Sequence, residues 1–197
     1  MAQAEWYVIQ VKTLYEEQIA SRILQESALA DAQQDREDNP LLEECFSPRF
    51  VTQRKRMGQW RDVERPLIPG YVIAVTSDPA ELARRLHRVP HLTRILTSGE
   101  TYTPLNAAER VWLDEQTHAG DRVVPMSFGY KEGDKVVVTE GPLVGREWQI
   151  TRISRSKSLA HLQLHVGGIT FKATVGFGLL KAPEAEEETE EEAATKE

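Results

Sequence analysis

The chain has 197 residues, of which 40% are hydrophobic and 28% are charged, a composition typical of one or two soluble globular domains. No run of about 18 apolar residues is present, which excludes a membrane-spanning helix of the usual kind. The single cysteine, Cys45, excludes an intramolecular disulfide and a cysteine-based zinc site. We therefore expect a cytoplasmic protein that does not associate with membranes.

Most of the negative charge is concentrated at the carboxyl end. The formal net charge is −7, and residues 184–197 contain eight Glu and one Lys, which also amounts to −7. The rest of the chain is therefore formally neutral. A segment that repels itself and has no apolar face predicts a disordered acidic tail over residues 183–197. Such a tail is either solubilising or competes with nucleic acid for a basic surface.

The amino-terminal elements predict a strand followed directly by a helix. Residues 6–12 are rich in β-branched and aromatic side chains, which is typical of a strand. Thr13 and Glu16 have the spacing of a capping box and predict a helix that extends to about residue 28. Residues 29–44 are polar and acidic, and they predict a loop or a poorly ordered insertion.

The next segment predicts a β-hairpin, with arms at residues 46–56 and 59–65 and a turn at Gly58. An apolar strand is predicted at residues 71–75, after a Pro-Gly turn. Three further elements follow: a helix that starts at Asp78-Pro79, a strand at 91–96, and a helix over 104–120 capped by Asn106 with Glu109.

The carboxyl-terminal third predicts a separate β domain. Residues 121–130 are interpreted as a linker, after which helix signals disappear. Residues 131–182 contain short strands divided by Gly and Ser turns, as in a small barrel, which removes sheet edges by closure. The fold class predicted is α+β: an α/β sandwich over residues 1–120, whose antiparallel-rich sheet is flanked by helices, followed by an all-β barrel.

Two segments of the first domain carry a family resemblance: residues 6–10 (Trp-Tyr-Val-Ile-Gln) and residues 65–72 (Arg-Pro-Leu-Ile-Pro-Gly-Tyr-Val). They resemble the opening strand and the Phe-Pro-Gly-Tyr segment of the N-terminal (NGN) domain of the NusG family of bacterial transcription elongation factors. Residues 89–96, followed by Gly99 and by residues 104–105, resemble its next signature.

The second domain resembles a KOW motif. Residues 132–138 (Glu-Gly-Asp-Lys-Val-Val-Val), with Gly-Pro-Leu at 141–143 and Gly145, are similar to that motif, whose glycine occupies a tight turn of an SH3-like barrel. The two resemblances, in this order, cover nearly all of the chain outside the acidic insertion and the tail. They imply an SH3-like KOW barrel behind an NGN domain.

The resemblance implies a non-enzymatic, monomeric factor that binds bacterial RNA polymerase and needs no cofactor or metal. It implies that the N-terminal domain grips the clamp of the largest polymerase subunit, suppresses pausing and promotes processive antitermination. The residues expected to contact polymerase are Trp6, Ile68, Pro69, Gly70 and Tyr71.

Basic residues predict two nucleic-acid surfaces, because phosphate binding needs positive charge and an exposed aromatic ring can stack on a base. The resemblance implies that the first domain lies across the upstream DNA or the non-template strand, and that the barrel reads RNA such as a nascent hairpin. The candidates in the first domain are Arg49, Arg54, Lys55, Arg56, Trp60, Arg84, Arg85 and Arg88. The candidates in the barrel are Lys135, Arg146, Arg152, Arg155, Lys157 and Lys172. A solvated face without a ligand is the alternative for each of them.

The hairpin over residues 55–60 resembles that of LoaP, a specialised NusG paralogue that acts as an antiterminator. The sequence also departs from the family: Leu14 replaces a usual Gly, Ile68 replaces the aromatic residue before Pro69, and Val166 replaces an aromatic residue of the barrel. The Val166 change argues against the ribosomal-protein and Rho contacts that general NusG proteins make through the barrel. A housekeeping NusG that couples polymerase to a ribosomal protein or to Rho is kept as the alternative. A ribosome-associated KOW protein that binds RNA is the alternative from another class.

An enzyme is not expected, because the sequence lacks a Walker loop, a Gly-x-Ser-x-Gly elbow and a His-Glu-x-x-His stretch. Cys45 follows Glu44 directly, and a neighbouring carboxylate predicts a raised rather than a lowered thiol pKa.

Overall fold

The structure, a computed structural model, describes residues 3–34, 40–89, 94–166 and 169–182. The predicted acidic tail lies outside these residues. The helices are α1 (Glu16–Gln33), α2 (Pro79–Leu86) and α3 (Ala107–Gln116). The strands of the first half are β1 (Glu5–Gln10), β2 (Leu42–Phe46), β3 (Arg49–Arg56), β4 (Gln59–Pro66), β5 (Tyr71–Thr76), β6 (Arg94–Ile95), β7 (Thr97–Ser98), β8 (Thr101–Tyr102) and β9 (Val123–Val124). The strands of the second half are β10 (Ser127–Glu132), β11 (Lys135–Glu140), β12 (Ile150–Ser154), β13 (Leu159–Val166) and β14 (Ile169–Leu179).

The first half is built on a four-stranded sheet in the order β2-β5-β1-β6. Strand β1 is antiparallel to β5, from Glu5 opposite Thr76 to Gln10 opposite Tyr71. Side chains alternate between the two faces, so that Ile9 packs in one core cluster with residues of α1 and α2, while Trp6 belongs to another. The predicted α+β class is confirmed.

Local capping signals fix the starts of α2 and α3. The Asp78 carboxylate accepts a hydrogen bond from the Glu81 amide at 2.9 Å, and proline occupies the first turn of α2. The Asn106 side chain accepts from the Glu109 amide, while the Glu109 carboxylate accepts from the Asn106 amide, each at 2.9 Å. The predicted capping box of α3 is therefore confirmed.

The predicted capping box of α1 is wrong. The N-cap is Tyr15, which makes no side-chain capping bond. The buried Glu16 carboxylate accepts a hydrogen bond from the Gly70 amide at 2.7 Å. In a capping box this carboxylate would accept from the amide of the N-cap residue instead. The helix begins where its packing against the sheet begins, and its first carboxylate ties it to the Pro-Gly turn.

The predicted loop at residues 29–44 is also wrong in part. Helix α1 continues to Gln33, and β2 begins at Leu42. The cause is Asp31, a buried carboxylate that accepts hydrogen bonds from the Leu41 amide at 2.9 Å and from Arg85 at 2.8 Å. These contacts hold the last turn of α1 against α2 and against the entry to β2.

Strands β3 and β4 form the predicted hairpin, with an unbroken register from Arg49 opposite Pro66 to Arg56 opposite Gln59. Met57 and Gly58 both have positive φ, +50° and +82°, as a type I′ hairpin turn requires. Strand β9 runs parallel beside β3. The hairpin projects as a two-stranded ribbon beyond the end of β9.

The second half is a five-stranded sheet in the order β11-β10-β14-β13-β12. No pairing between the outer strands β11 and β12 is found among the described residues, so closure stays a prediction, and the word barrel names this β domain below. Its interior contains Leu143, Leu162 and Phe177, all fully buried. The linker predicted at residues 121–130 is structured instead, because it contains β9 and the start of β10. Val124 and Ser127 of this segment are buried, and burial of such side chains holds the segment against the protein.

One hydrophobic cluster continues across both halves and includes Phe50 of β3 and Phe177 of β14. The Trp112 indole nitrogen donates to the carbonyl oxygen of Pro142 at 3.4 Å, which joins α3 to the turn after β11. The Thr52 hydroxyl donates to the carbonyl oxygen of Ser158 at 2.9 Å, which joins the hairpin to the barrel. The two halves therefore pack directly on each other. None of the described helices is long and apolar enough to cross a membrane.

Candidate binding surfaces

The turn between β4 and β5 has a fixed conformation. Gly70 has φ +84°, and a Cβ at this position would lie 3.1 Å from the Thr13 hydroxyl. Its amide donates to Glu16, and its carbonyl oxygen accepts from the Val11 amide at 2.8 Å. Glycine is therefore required for conformation and for space, and both backbone groups of the residue are anchored.

An apolar cluster with a buried centre lies at this anchored turn. Ile68 is 5% exposed and packs on the buried Val8, and the half-buried side chains of Tyr71, Leu96 and Leu105 pack around them. Pro69, between Ile68 and Gly70, is exposed. The structure therefore brings four of the five predicted polymerase-contact residues into one turn.

The fifth predicted contact residue, Trp6, lies in the core. It is only 6% exposed and packs edge-on against Phe46, with ring centroids 5.4 Å apart. The Arg122 guanidinium lies over the same indole ring at 4.9 Å. In this arrangement a partner protein cannot reach the ring, so Trp6 stabilises the sheet that carries the turn.

An interdomain cleft with a volume of about 340 Å³ opens beside this turn. One wall comes from the first half and includes Ile68, Leu105 and Trp112, and the other comes from the barrel and includes Trp148 and Gln163. Trp148 is 79% exposed, which is unusual for so large an apolar side chain in a monomer. The barrel therefore stands at the rim of the apolar cluster.

Arg122, itself buried, organises a partly buried ionic cluster that sequence analysis did not predict. Its guanidinium contacts Glu44 at 2.6 Å and Asp114 at 2.8 Å. Burial lowers its pKa, but hydrogen bonds to these two carboxylates outweigh that effect, and the pKa is raised above its ordinary value. No signal in the sequence pairs Arg122 with Glu44, because 78 residues separate them.

Part of the predicted basic surface of the first half is neutralised by ion pairs. Arg49 contacts Glu64 at 2.6 Å and Glu17 at 3.3 Å. Arg85 is nearly buried and contacts Asp31 and Glu81, so it joins α2 to α1. Both guanidinium groups are thus paired with carboxylates of the protein. Neither offers an unpaired positive charge for the nucleic-acid contact predicted for it.

The remaining predicted residues of this surface are exposed. Arg84 is exposed although it pairs with Glu81 at 2.6 Å, and Arg88 is also exposed. The other exposed predicted residues are Arg54, Lys55, Arg56 and Trp60 of the hairpin. Trp60 is 51% exposed and lies directly opposite Lys55.

Sequence analysis missed two further hairpin arginines, Arg61 and Arg65, which are also exposed. The signal that identifies them is the turn itself. A two-residue turn at Met57 and Gly58 fixes the register and places Arg61 directly opposite Arg54.

The six basic residues predicted in the barrel do not form one cluster. Arg152 and Lys172 are exposed on strands either side of β13, Arg155 and Lys157 lie on a short 3-10 helix, and Arg146 lines the interdomain cleft. Lys135 is exposed at the start of β11. The structure therefore separates the predicted RNA surface into several positions.

The Cys45 thiol is not activated as a nucleophile. Burial raises the pKa of the Cys45 thiol, and the neighbouring Glu44 adds to the effect, as predicted. Among the described residues, no group of three His, Cys, Asp or Glu side chains is placed to hold a metal ion.

The fold and its surfaces define a two-domain protein, with a mixed α/β domain packed on a small β domain, an apolar cleft between them and one exposed basic ribbon. The family model described as transcription termination factor nusG matches residues 4–112, more than half of the chain. The chain belongs to the NusG family.

Individual relatives agree with this family. A transcription termination/antitermination protein NusG of Campylobacter jejuni is 24% identical over 169 residues, which are 85% of this chain and 91% of the relative. The protein of that name from Streptococcus pyogenes is 26% identical over 155 residues, 77% of this chain and 82% of the relative. A solved structure described as domain interaction in Thermotoga maritima NusG has a TM-score of 0.50 at 19% identity, and covers 88% of this chain and 94% of that one. This last likeness supports the fold.

Proposed function

We propose that this protein is a transcription elongation factor that binds bacterial RNA polymerase through the turn at Ile68, Pro69, Gly70 and Tyr71. The observation that carries the proposal is the apolar surface of Pro69 and the half-buried Tyr71, which lies over the buried Ile68 and is held by a turn whose glycine is anchored on both sides. Rigid apolar anchors beside a cleft are the usual carriers of interface energy. The factor acts as a monomer through binding alone, without bond chemistry or a cofactor.

The expected site on polymerase is the clamp of the largest subunit. A helical tip of a partner is about 10–12 Å across with its side chains, and a cleft of about 340 Å³ does not admit it while the barrel stays in place. The barrel wall that contains Trp148 and Gln163 must therefore move away as polymerase docks. Bridging the clamp in this way suppresses pausing and promotes processive antitermination.

The exposed ribbon of β3 and β4 supports a specialised antiterminator, in which basic residues meet upstream DNA or the non-template strand and the barrel meets nascent RNA. A housekeeping factor that couples polymerase to a ribosomal protein or to Rho is the second candidate. It is favoured by the relatives, which are named as termination/antitermination proteins. Dependence on one leader RNA distinguishes the first role, and polymerase occupancy across the genome distinguishes the second.

The test is binding of the full chain to a reconstituted bacterial elongation complex. We expect Tyr71→Ala to weaken binding by about thirty-fold or more, because truncating an interface anchor costs about 2 kcal/mol or more. The matched control is Tyr130→Ala, which removes a half-buried tyrosine from β10, away from the turn. Equal binding by all three folded proteins would contradict the proposed surface. Binding to ribosomal subunits and not to polymerase would favour a ribosome-associated KOW protein.

A further inference from the structure

The hairpin carries a pair of like charges that it does not neutralise. Arg54 lies directly opposite Arg61 in the antiparallel register, and both side chains are exposed on one face of the ribbon. Like charges directly opposite each other destabilise a sheet. Within the described part of the chain, neither arginine has a carboxylate within 4.0 Å. An arrangement that costs stability in the free protein is favourable when an anion binds between the two charges.

The same face of the hairpin turns towards the barrel. Thr52 is two residues before Arg54, so it lies on the same face, and its hydroxyl donates to the Ser158 carbonyl oxygen. Ser158 ends the short 3-10 helix Arg155–Lys157 and has φ +50°. The strand and the 3-10 helix therefore stand side by side, with Lys157 next to the hairpin arginines.

A groove with a volume of about 610 Å³ lies between them. The hairpin contributes Arg54 and Arg65 to its walls, and the barrel contributes Lys157. Lys55 is the fourth cation of the lining, and Glu64 is its one carboxylate, already paired with Arg49 at 2.6 Å. This composite groove is therefore strongly positive, and it exists only while the two domains are packed together.

We propose that the composite groove binds the sugar-phosphate backbone of a single nucleic-acid strand, so that both domains hold the same strand. The inference goes beyond the proposed function and concerns the protein with its domains packed together, since docking on polymerase is proposed to move the barrel away. The groove has the volume of a typical small-ligand site. It is therefore large enough for the backbone of one strand and too small for a duplex. Nascent RNA and a displaced DNA strand offer the same phosphate chemistry, and the experiment distinguishes them.

The test measures binding of the full chain to fluorescent oligouridine RNA and oligothymidine DNA of about 12 nucleotides, a length in the usual range of single-strand sites. Arg54→Gln, Arg65→Gln and Lys157→Gln each remove one cation from the lining of the groove. We expect each to weaken binding by about five-fold at about 0.1 M salt, and to lower the salt slope by about 0.7. The preferred oligonucleotide identifies RNA or DNA as the source of the strand.

Lys131→Gln is the control, because it removes an exposed charge of β10 outside the groove. It should bind like the unmodified chain. Arg152→Gln tests the barrel surface itself, because Arg152 is exposed on β12 and lies outside the groove. A loss in Lys157→Gln and Arg152→Gln without a loss in the hairpin variants would place binding on the barrel alone and overturn the inference.

Preference for duplex DNA, or no binding of either single strand, would also overturn it. The elongation-complex assay with Tyr71→Ala is independent of these variants. If single strands do not bind the groove but Tyr71→Ala still loses polymerase binding, the inference is wrong and the proposed function is retained. If single strands bind the groove but the chain does not bind polymerase, the proposed function is wrong and the groove is retained.

Discussion

At the scale of single residues, Leu14 has a backbone conformation that glycine adopts more readily than leucine. Its φ is +75° and its side chain is 87% exposed. The backbone is therefore strained, and burial of the side chain does not offset that strain. A left-handed conformation costs a residue with a Cβ about 1–2 kcal/mol. Glycine relieves that strain, although it loses about 0.5–1 kcal/mol through the greater entropy of its unfolded state.

We therefore expect Leu14→Gly to raise the free energy of unfolding by about 0.5–1 kcal/mol. Equilibrium denaturation with urea measures the change. Leu14→Ala is the control, because alanine keeps the Cβ and hence the strain. If the glycine variant is no more stable than the alanine variant, the backbone at this position is not strained in solution. The resemblance to the family anticipated this site, where a Gly is usual.

At the scale of secondary-structure elements, Arg122 connects three parts of the first domain. It joins Glu44 of β2 to Asp114 of α3, and its guanidinium stacks on the rings of Trp6 and Phe46. Removal of the guanidinium leaves the Glu44 carboxylate, which is only partly exposed, without its ion-pair partner. Breaking a buried pair from one side costs about 3–5 kcal/mol.

We expect Arg122→Ala to lower the free energy of unfolding by about 3 kcal/mol, at the lower end of that range because Asp114 is largely exposed. Arg22→Ala is the matched control. Arg22 makes an exposed pair with Glu26 at 4.0 Å, which is worth less than about 1 kcal/mol. Similar midpoints for the two variants in thermal or urea denaturation would show that the cluster does not stabilise the fold.

The elements also show what the sequence can and cannot predict. The caps at Asp78 and Asn106 act within four residues, and their helices begin where local spacing predicts. The end of α1 depends on Asp31, whose partners Leu41 and Arg85 come from a later strand and a later helix. Local patterns predict contacts that close over a few residues, and they do not predict ionic partners that the tertiary fold brings together.

The same distinction applies to the candidate surfaces. The Pro-Gly-Tyr turn and the basic hairpin can be recognised from adjacent residues. The composite groove combines Arg54 with Lys157, about a hundred positions away, and depends on the packing of two domains. The burial of Trp6 is also a tertiary result, since an aromatic residue in a strand packs in the core or at an interface with equal local signal.

At the scale of the whole molecule, domain packing affects the two candidate surfaces in opposite ways. Packing places Trp148 at the rim of the interdomain cleft, and so it should oppose the proposed binding of polymerase there. The same packing brings Lys157 beside Arg54, and so it creates the composite groove. A substitution that separates the domains should therefore strengthen one interaction and weaken the other.

Gly176 on β14 allows that separation. A Cβ at this position would lie 2.0 Å from the Val51 carbonyl oxygen and 2.7 Å from Met126 Cγ, so its nearest contacts are with the other domain and the connecting segment. Gly176→Ala should leave the barrel folded and move it away from the hairpin. Gly178→Ala is the control, because its Cβ would meet the Phe128 ring at 2.4 Å, within the barrel itself.

The measurement that tests the account most directly compares the affinity of Gly176→Ala and of the unmodified chain for the elongation complex. We expect the variant to bind polymerase on the order of ten-fold more tightly, since the binding-competent arrangement no longer has to compete with the packed one. In the same preparation, binding of the single-stranded oligonucleotide should weaken. Unchanged or weaker polymerase binding by Gly176→Ala, once its domains have been shown to separate, would contradict the account. Polymerase binding by Gly178→Ala that equals that of Gly176→Ala would contradict it as well.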